Sequence, residues 1–323
     1  MGAGVLHAEA AAARFTLSRH LPSDDLAPFL DYWWVVRWDL RGQPPHEQAI
    51  LPHPNVTLAF EARGAGIFGV DRSIFTRRLT GEGKGLGARF RPGGFRPFYR
   101  KPVAALTGRV VPARQVFGPA ADEACAAVMS PGADDAAMVA AAERLLRGFG
   151  AVPDPVAVQV AGLVERIGAD AELRRVTALA EVFGVPERRL QRMFAEYVGV
   201  SPKWVIRRAR LHEAAQRADA GDVVDWGALA LDLGYADQAH LTRDFTATIG
   251  VPPATYARGG SPARRHRPGL RRAYGACSGL PGTVRRAGAL PGSSRRTLRL
   301  GARRRTGAAA RARTAARLSG CAG

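Results

Sequence analysis

LAEVFGVPERRLQRMFAEYVGVSP occupies residues 179–202, and LALDLGYADQAHLTRDFTATIGVPP occupies residues 229–253. Allowing one extra residue in the second stretch, Leu179 aligns with Leu229, Ala180 with Ala230 and Gly184 with Gly234. Further on, Leu190 aligns with Leu241, Arg192 with Arg243, Phe194 with Phe245, Gly199 with Gly250 and Pro202 with Pro253. Each copy reads as two short amphipathic helices joined by a glycine-containing turn. That is the pattern of a helix-turn-helix, whose second helix can enter a DNA major groove. Two copies in one chain predict a reader of two successive grooves.

In the first copy, Thr177 is placed to cap a helix running to about Phe183, with Leu179, Ala180 and Phe183 facing inward. Gly184 supplies the turn, since a residue without Cβ reaches positive φ at little cost. Pro186 suits a helix N-terminus, and the second helix is predicted from about Glu187 to Tyr197. Leu190, Met193, Phe194 and Val198 recur at helical spacing, which leaves Arg188, Arg189, Gln191 and Arg192 outward. Arginine pairs bidentately with guanine O6/N7 and glutamine with adenine N6/N7, so that face carries the donors that read base edges. Such a face in isolation is more often simply solvated; the repeat and its turn favour DNA.

Ser201 and Pro202 then read as cap and first position of a helix to about Ala218, roughly 26 Å long. A spacer of that length can hold two recognition helices about one DNA turn, ~34 Å, apart. Its apolar positions Trp204, Ile206, Leu211 and Ala215 are predicted to pack on both flanking units. Lys203, Arg207, Arg208 and Arg210, with Thr177, Arg189, Ser201 and Thr242, are the candidate phosphate contacts, which give affinity and register. In the second copy Trp226, Leu229, Ala230 and Leu233 face inward, Asp237 caps the recognition helix, and Gln238, His240, Thr242 and Arg243 face outward. Residues 187–217 hold eight basic and three acidic side chains, whereas residues 218–257 hold one basic and six acidic. Affinity from counterion release is therefore expected mainly from the first unit and the spacer.

Residues 14–147 have a different character. Short apolar runs such as YWWVVRWDL (32–40), NVTLAFE (55–61), GIFGV (66–70) and GARFRPG (87–93) are broken by Pro and Gly every ten residues or so. They predict a mostly-β antiparallel barrel or sandwich, followed by helices near 119–130 and 134–147. GFGAVPDP (148–155) reads as the linker, and residues 156–257 as an all-α domain. The fold class is thus multidomain α+β. From residue 258 to 323 the chain holds seventeen Arg and no Lys, Asp or Glu, so most of the +19 net charge sits there. The rest carries 30 basic against 28 acidic groups, and the overall basicity is no argument for DNA binding. Without apolar periodicity this stretch is expected to be disordered. It reads either as a sequence-independent DNA-binding arm or as out-of-frame translation of GC-rich DNA; the abrupt compositional change favours the second.

Other signals are weaker. Cys125, Cys277 and Cys321 are too scattered for a disulfide framework or a zinc site. MGAGVLHAEAAAARF lacks the basic leader of a signal peptide, and no apolar run is long enough to span a membrane, so a cytoplasmic setting is expected. His46, Glu47 and His53 do not match the close His and carboxylate clustering of metal-bearing barrels, and no metal or cofactor is expected. GEGKGLG (81–87) fails the phosphate-loop pattern and reads as a hairpin turn. On a strand, Trp34 and Trp38 share one face with Trp33 on the other; with Tyr32 they read mostly as core, with an effector pocket the alternative. Arg89, Arg91 and Arg96 read as solvated strand edges, with an anionic ligand the alternative. No nucleophile, base and orienting residue stand in a recognisable order, so an enzyme is not expected.

The stretches GVPERRLQRMF, GVSPKWVIRRARLHEA, LGYADQAHLTRDF and GVPPATY resemble the AraC/XylS family of bacterial transcription regulators over about residues 170–257. The resemblance implies a seven-helix domain with two recognition helices in adjacent major grooves. It puts base contacts on Arg188, Gln191 and Arg192, and on Gln238, Ala239, His240 and Arg243. Ala239 departs from the polar residue of some members and offers only methyl contact. PFLDYWWVVRWDL, LPHPNVTLAFE, RFRPGGFRPF and VVPARQVFG resemble the barrel-type sensing domain of some members, which binds effectors or mediates dimerisation. The implied partners are double-stranded promoter DNA, an unknown small-molecule effector, RNA polymerase and a second copy of the chain, with no membrane. Two other readings remain open: a barrel enzyme tethered to DNA, and a non-specific DNA-binding protein driven by the basic tail.

Overall fold

A computed structural model describes residues 13–170, 173–220 and 224–259. The alanine-rich N-terminal stretch and the arginine-rich stretch from residue 260 onward lie outside the described residues. The β-rich half contains β1 (Thr16–His20), β2 (Leu30–Leu40), β3 (His46–Ile50), β4 (Thr57–Glu61), β5 (Gly64–Phe68), β6 (Phe75–Leu79), β7 (Gly81–Phe90) and β8 (Val110–Pro112). Six of them form one antiparallel sheet in the order β1-β2-β7-β4-β5-β8, and β3 pairs with β6 in a second, two-stranded sheet. The strands expected from the alternating pattern are present, arranged as two sheets with no closed barrel.

Period-2 alternation decides which face of the large sheet is covered. Trp33 and Val35 of β2, Leu58 and Phe60 of β4, and Leu86, Ala88 and Phe90 of β7 are all buried. They pack with Ala121 and Val128 of helix α3 (Ala120–Val128) and with Met138, Ala142 and Leu145 of helix α4 (Asp135–Gly148) in one apolar core. Asp135 pins α4 to the sheet edge, accepting from Ser18 (2.5 Å), Arg37 (2.8 Å) and His20 (3.0 Å). Burial opposes ionisation of Asp135, but these hydrogen bonds outweigh it and hold the carboxyl at about 2. Two short helices precede α3: α1 (Arg96–Tyr99) and α2 (Arg114–Phe117).

Residues 81–87 correct the turn expectation. They are the first part of β7, paired with β2 so that Trp38 faces Gly83, Val36 faces Gly85 and Trp34 faces Gly87. A Cβ on Gly83 would lie 2.3 Å from the Trp38 ring, and one on Gly87 would lie 2.1 Å from the Trp34 ring. The glycines are there because two indoles lie flat against the strand, a close approach that any side chain would block. Glycine density reads as a turn only while the cross-strand partners are unknown.

The helical half comprises α5 (Pro155–Ala169), α6 (Val176–Val182), α7 (Glu187–Tyr197), α8 (Pro202–Asp219), α9 (Trp226–Asp232), α10 (Gln238–Ile249) and α11 (Pro253–Ala257). It has two apolar cores. Leu163, Leu179, Leu190 and Phe194 fill one; Leu229, Leu233, Leu241, Phe245 and Tyr256 fill the other. α8 feeds both: Val205 and Ile206 enter the first, and Leu211, Ala214, Ala215 and Ala218 the second. The β-rich half closes each core as well, with Val70 in the first and Ala49 and Leu51 in the second. Among the described residues, no helix is long and apolar enough to cross a membrane.

The indole-glycine contact gives a direct test. Gly87→Ala is expected to cost about 1–3 kcal/mol through overpacking. Gly85→Ala, whose Cβ would meet Phe60 O at an ordinary 3.5 Å, should cost clearly less. Chemical denaturation of both variants checks the order.

Candidate nucleic-acid interface

The two copies in the sequence fold as two copies in backbone detail. Gly184 and Gly234 have φ of 60° and 73°, left-handed values that glycine adopts without strain. In the first unit Val185 N donates to Ala180 O (3.1 Å) and Gly184 N to Glu181 O (3.1 Å); in the second Tyr235 N donates to Ala230 O (2.8 Å) and Gly234 N to Leu231 O (2.8 Å). Both are the paired closing bonds of a helix ending on a glycine. The capping differs between copies. Asp225 accepts from Gly227 N and Ala228 N at the start of α9. The aligned position in the first copy is Arg175, which cannot accept, and α6 starts without a side-chain cap. Thr177 therefore does not cap it; it sits exposed within the first turn.

Beyond the turns, the expected helices form. Ser201 caps α8 by accepting from Trp204 N (3.2 Å), and Asp237 caps α10 by accepting from His240 N (2.7 Å). On α7, Leu190 and Phe194 are fully buried, and Arg188, Arg189, Gln191 and Arg192 are exposed. Among the described residues those three arginines make no ion pair, which leaves their donors for an outside acceptor. On α10, Leu241, Phe245 and Ile249 are buried, while Gln238, Ala239, His240 and Arg243 are exposed and Thr242 is half-buried. The His240 ring stands edge-on to Tyr235, centroids 5.1 Å apart. Lys203 is exposed at the start of α8.

Arg208 and Arg210 turn inward, unlike the phosphate-facing placement read from the sequence, whereas Arg207 stays exposed while it pairs with an acidic neighbour. Arg207 pairs with Asp244 of α10, which also accepts from the Tyr235 hydroxyl at 2.8 Å. Arg210 donates to Arg174 O, ahead of α6, and to Gly234 O (3.4 Å) in the turn of the second unit, and its guanidinium lies 5.5 Å from the Tyr235 ring centroid. One side chain thus ties the first unit to the second. Burial is the main influence lowering the Arg210 pKa and raising that of Tyr235.

Arg208 points the other way, into the β-rich half. It donates to Pro52 O (2.8 Å) and to His53 Nδ1 (2.5 Å), and the His53 ring meets His212 edge-on at 6.0 Å. Protein surrounds its guanidinium, and burial, with Arg89 nearby, pushes its pKa down to about 9. The same burial and the two arginines push His212 down to about 4, so it is neutral.

Arg89, Arg91 and Arg96 are not solvated edges. Arg89 donates to the Tyr32 hydroxyl (3.0 Å) and Asn55 Oδ1 (3.0 Å), Arg91 lies 3.5 Å from Glu165 of α5, and Arg96 donates to Glu196 of α7 at 2.7 Å. Thr107 adds a bond to Gly199 O at 2.5 Å. Asn55, Glu165, Glu196 and Thr107, with Asp244, Tyr235 and His212, are the partners that sequence reading missed. His46 bonds Gln48 (3.2 Å) while His53 faces Arg208, and no group of three metal-ligating side chains occurs among the described residues.

Comparison with known proteins matches two family models. Residues 18–112 match a domain of unknown function, DUF6597, and residues 179–259 match a helix-turn-helix domain. No curated protein matches the chain. Among solved structures, ToxT from Vibrio cholerae is similar at 9% identity and a TM-score of 0.35, covering 76% of this chain and 98% of that one. Unsaturated fatty acid-bound ToxT from Vibrio cholerae strain SCE256 is similar at 11% identity and a TM-score of 0.33, covering 78% and 98%. A likeness at that level bears no weight beyond itself.

The Asp244 junction can be tested by removing its acceptor. Asp244→Ala leaves the Tyr235 hydroxyl and Arg207 without their shared partner and is expected to cost about 1–3 kcal/mol. Asp232→Ala loses only an exposed pair with Arg217 at 3.6 Å and should change stability by less than about 1 kcal/mol. Thermal denaturation of the two variants decides.

Proposed function

We propose that the chain, whose residues 179–259 match a helix-turn-helix domain, is a sequence-specific transcription regulator of the AraC type placing α7 and α10 in successive major grooves. The observation that carries this reading is the pair of exposed polar faces, Arg188, Gln191 and Arg192 on α7 and Gln238, His240 and Arg243 on α10, mounted on cores that share α8. Arg188, Gln191 and Arg192 read base edges on one groove, and Gln238, Ala239, His240 and Arg243 on the next. Thr177, Arg189, Ser201, Lys203 and Thr242 supply phosphate contacts. Arg207, exposed beside Asp244, adds to those phosphate contacts, whereas Arg208 and Arg210 act from inside the protein, fixing the readers to each other and to the β-rich half.

In this reading the division near 148–155 separates a regulatory half from a DNA-reading half. The β-rich half senses a small-molecule effector through a cleft lined by β2 and β7 of the large sheet and β3 and β6 of the small one. Its docking on both helical cores gives a ligand there a route to the DNA readers. A second copy of the chain, or RNA polymerase, completes the regulatory complex on the promoter.

Footprinting on a selected site is expected to show two protected patches about 10–10.5 bp apart; protection shorter than one turn contradicts the proposal. Arg188→Ala should relax preference at one base position by about 1–3 kcal/mol, and Lys203→Ala should weaken all sequences alike and lower the salt slope by about 1. Binding titrations at several salt concentrations separate the two effects.

A further inference from the structure

The β-rich half reaches the flank of the first recognition helix as well as its core. Arg189, Arg192, Met193 and Glu196 form one line along α7, at spacings of three and four residues. Pro102 of the β-rich half sits against that line, sharing a surface groove with all four. Polar and close backbone contacts fasten the segment there. Arg96 donates to Glu196 (2.7 Å), Thr107 donates to Gly199 O (2.5 Å), and a Cβ on Gly199 would lie 3.1 Å from Val103 O. When a helix enters a major groove, the faces beside its base-reading residues look toward the phosphate backbones that border the groove. Pro102 and its neighbours stand on such a face.

Lys101 comes one residue before Pro102. It is exposed, and among the described residues its ammonium has no ion pair or hydrogen bond. The backbone is set on both sides of it. Arg100 ends α1 in the left-handed region at φ 55°, with its N–H donated to Arg96 O (2.9 Å). Pro102 then disfavours the helical region at Lys101. The Arg100 guanidinium is itself engaged, 5.2 Å from the Phe149 ring centroid. Nearby carboxylates are engaged too: Glu196 holds Arg96, and Asp154 accepts from the Tyr197 hydroxyl (2.7 Å) and from Val156 N (2.8 Å). Glu187, two residues before Arg189, falls on another side of α7. Among the described residues this flank therefore carries three unpaired cations, Lys101, Arg189 and Arg192. Like charges gathered along a groove reader complement a polyanion.

We propose that the β-rich half takes part in DNA binding directly, with Lys101 contacting a backbone phosphate at the border of the α7 groove, beside Arg189. The proposal rests on the reading of α7 as a groove reader and adds a contact from outside the helix-turn-helix domain. Lysine suits the task, because a point charge on a flexible stem adds affinity without reading sequence. Lys101 shares one short segment with Arg96, Pro102 and Thr107. The docking that steadies the end of α7 is thus the same docking that brings this cation to the duplex.

The test measures binding of the full chain, over a range of salt concentrations, to a duplex it selects from a random pool and to an unrelated duplex of equal length. Lys101→Ala is expected to weaken binding to both and to lower the slope of log K against log salt by about 0.9, the share of one phosphate. Its affinity gap from the unaltered chain should narrow about threefold over a fourfold rise in salt. Lys101→Arg should keep the slope, and Lys101→Glu should weaken binding further. Hydroxyl-radical cleavage should show a backbone position beside the α7 groove losing protection in Lys101→Ala. Arg63→Ala removes an exposed arginine in the β4–β5 turn and should change neither slope nor protection. Unchanged melting of every variant separates these effects from loss of fold. An unaltered slope or tighter binding in Lys101→Ala, or an equal loss of slope in Arg63→Ala, overturns the proposal. If Lys203→Ala lowers the slope and Lys101→Ala does not, the DNA reading stands and this contact falls; if the chain binds neither duplex, both fall.

Discussion

One helix belongs to two cores, and the rest of the arrangement depends on that. α8 gives Val205 and Ile206 to the core of the first helix-turn-helix unit and Leu211, Ala214, Ala215 and Ala218 to the core of the second. Neither unit can shift against it without opening apolar surface, at about 25 cal/mol for each Å² exposed. Apolar contact alone tolerates small slides, because it has little directionality. The polar side of the helix supplies the direction. Arg207 engages Asp244, and Arg210 reaches Arg174 O and the Gly234 turn. Exposed or half-buried charges of this kind gain little net stability, so their value lies in geometry: the angle and register at which α7 and α10 face outward.

The β-rich half is fastened to the same framework. Val70 completes one helical core, and Ala49 and Leu51 complete the other. Around these apolar contacts run Arg91 to Glu165, Arg96 to Glu196, Thr107 to Gly199 O and Arg208 to the Pro52–His53 loop. Glu196 lies on α7 itself, about one turn beyond Arg192. A change in the β-rich half thus has short, named routes to a recognition helix. The route through Arg208 differs from the others because the donor is charged, enclosed and without a carboxylate, which makes it the contact most sensitive to charge brought in from outside.

Sequence pattern alone revealed the repeat, the glycine turns, the α7 and α10 faces and the Ser201 and Asp237 caps, because each depends on residues within one helix of one another. It also placed Trp33 apart from Trp34 and Trp38, since alternation along a strand is local. It misplaced what depends on distant partners. Residues 81–87 resemble a turn until Trp34 and Trp38 are seen across the ladder. Arg208 and Arg210 read as phosphate contacts until His53 and Arg174 are found beside them. Thr177 looked like a cap because the true cap position holds Arg175, a residue that cannot accept. A charged side chain on a helix carries no local mark of which way it turns, and for a buried arginine the partner settles it.

The central claim is that α8, with Arg207 and Arg210, holds the two recognition helices as one rigid pair. Its most direct test is the distance distribution between spin labels placed by Arg192→Cys and Arg243→Cys, with Cys125→Ala, Cys277→Ser and Cys321→Ser in the background, measured without DNA. The account predicts a single narrow distribution that broadens when Arg207 and Arg210 are replaced by alanine. A distribution already broad with both arginines in place would contradict it.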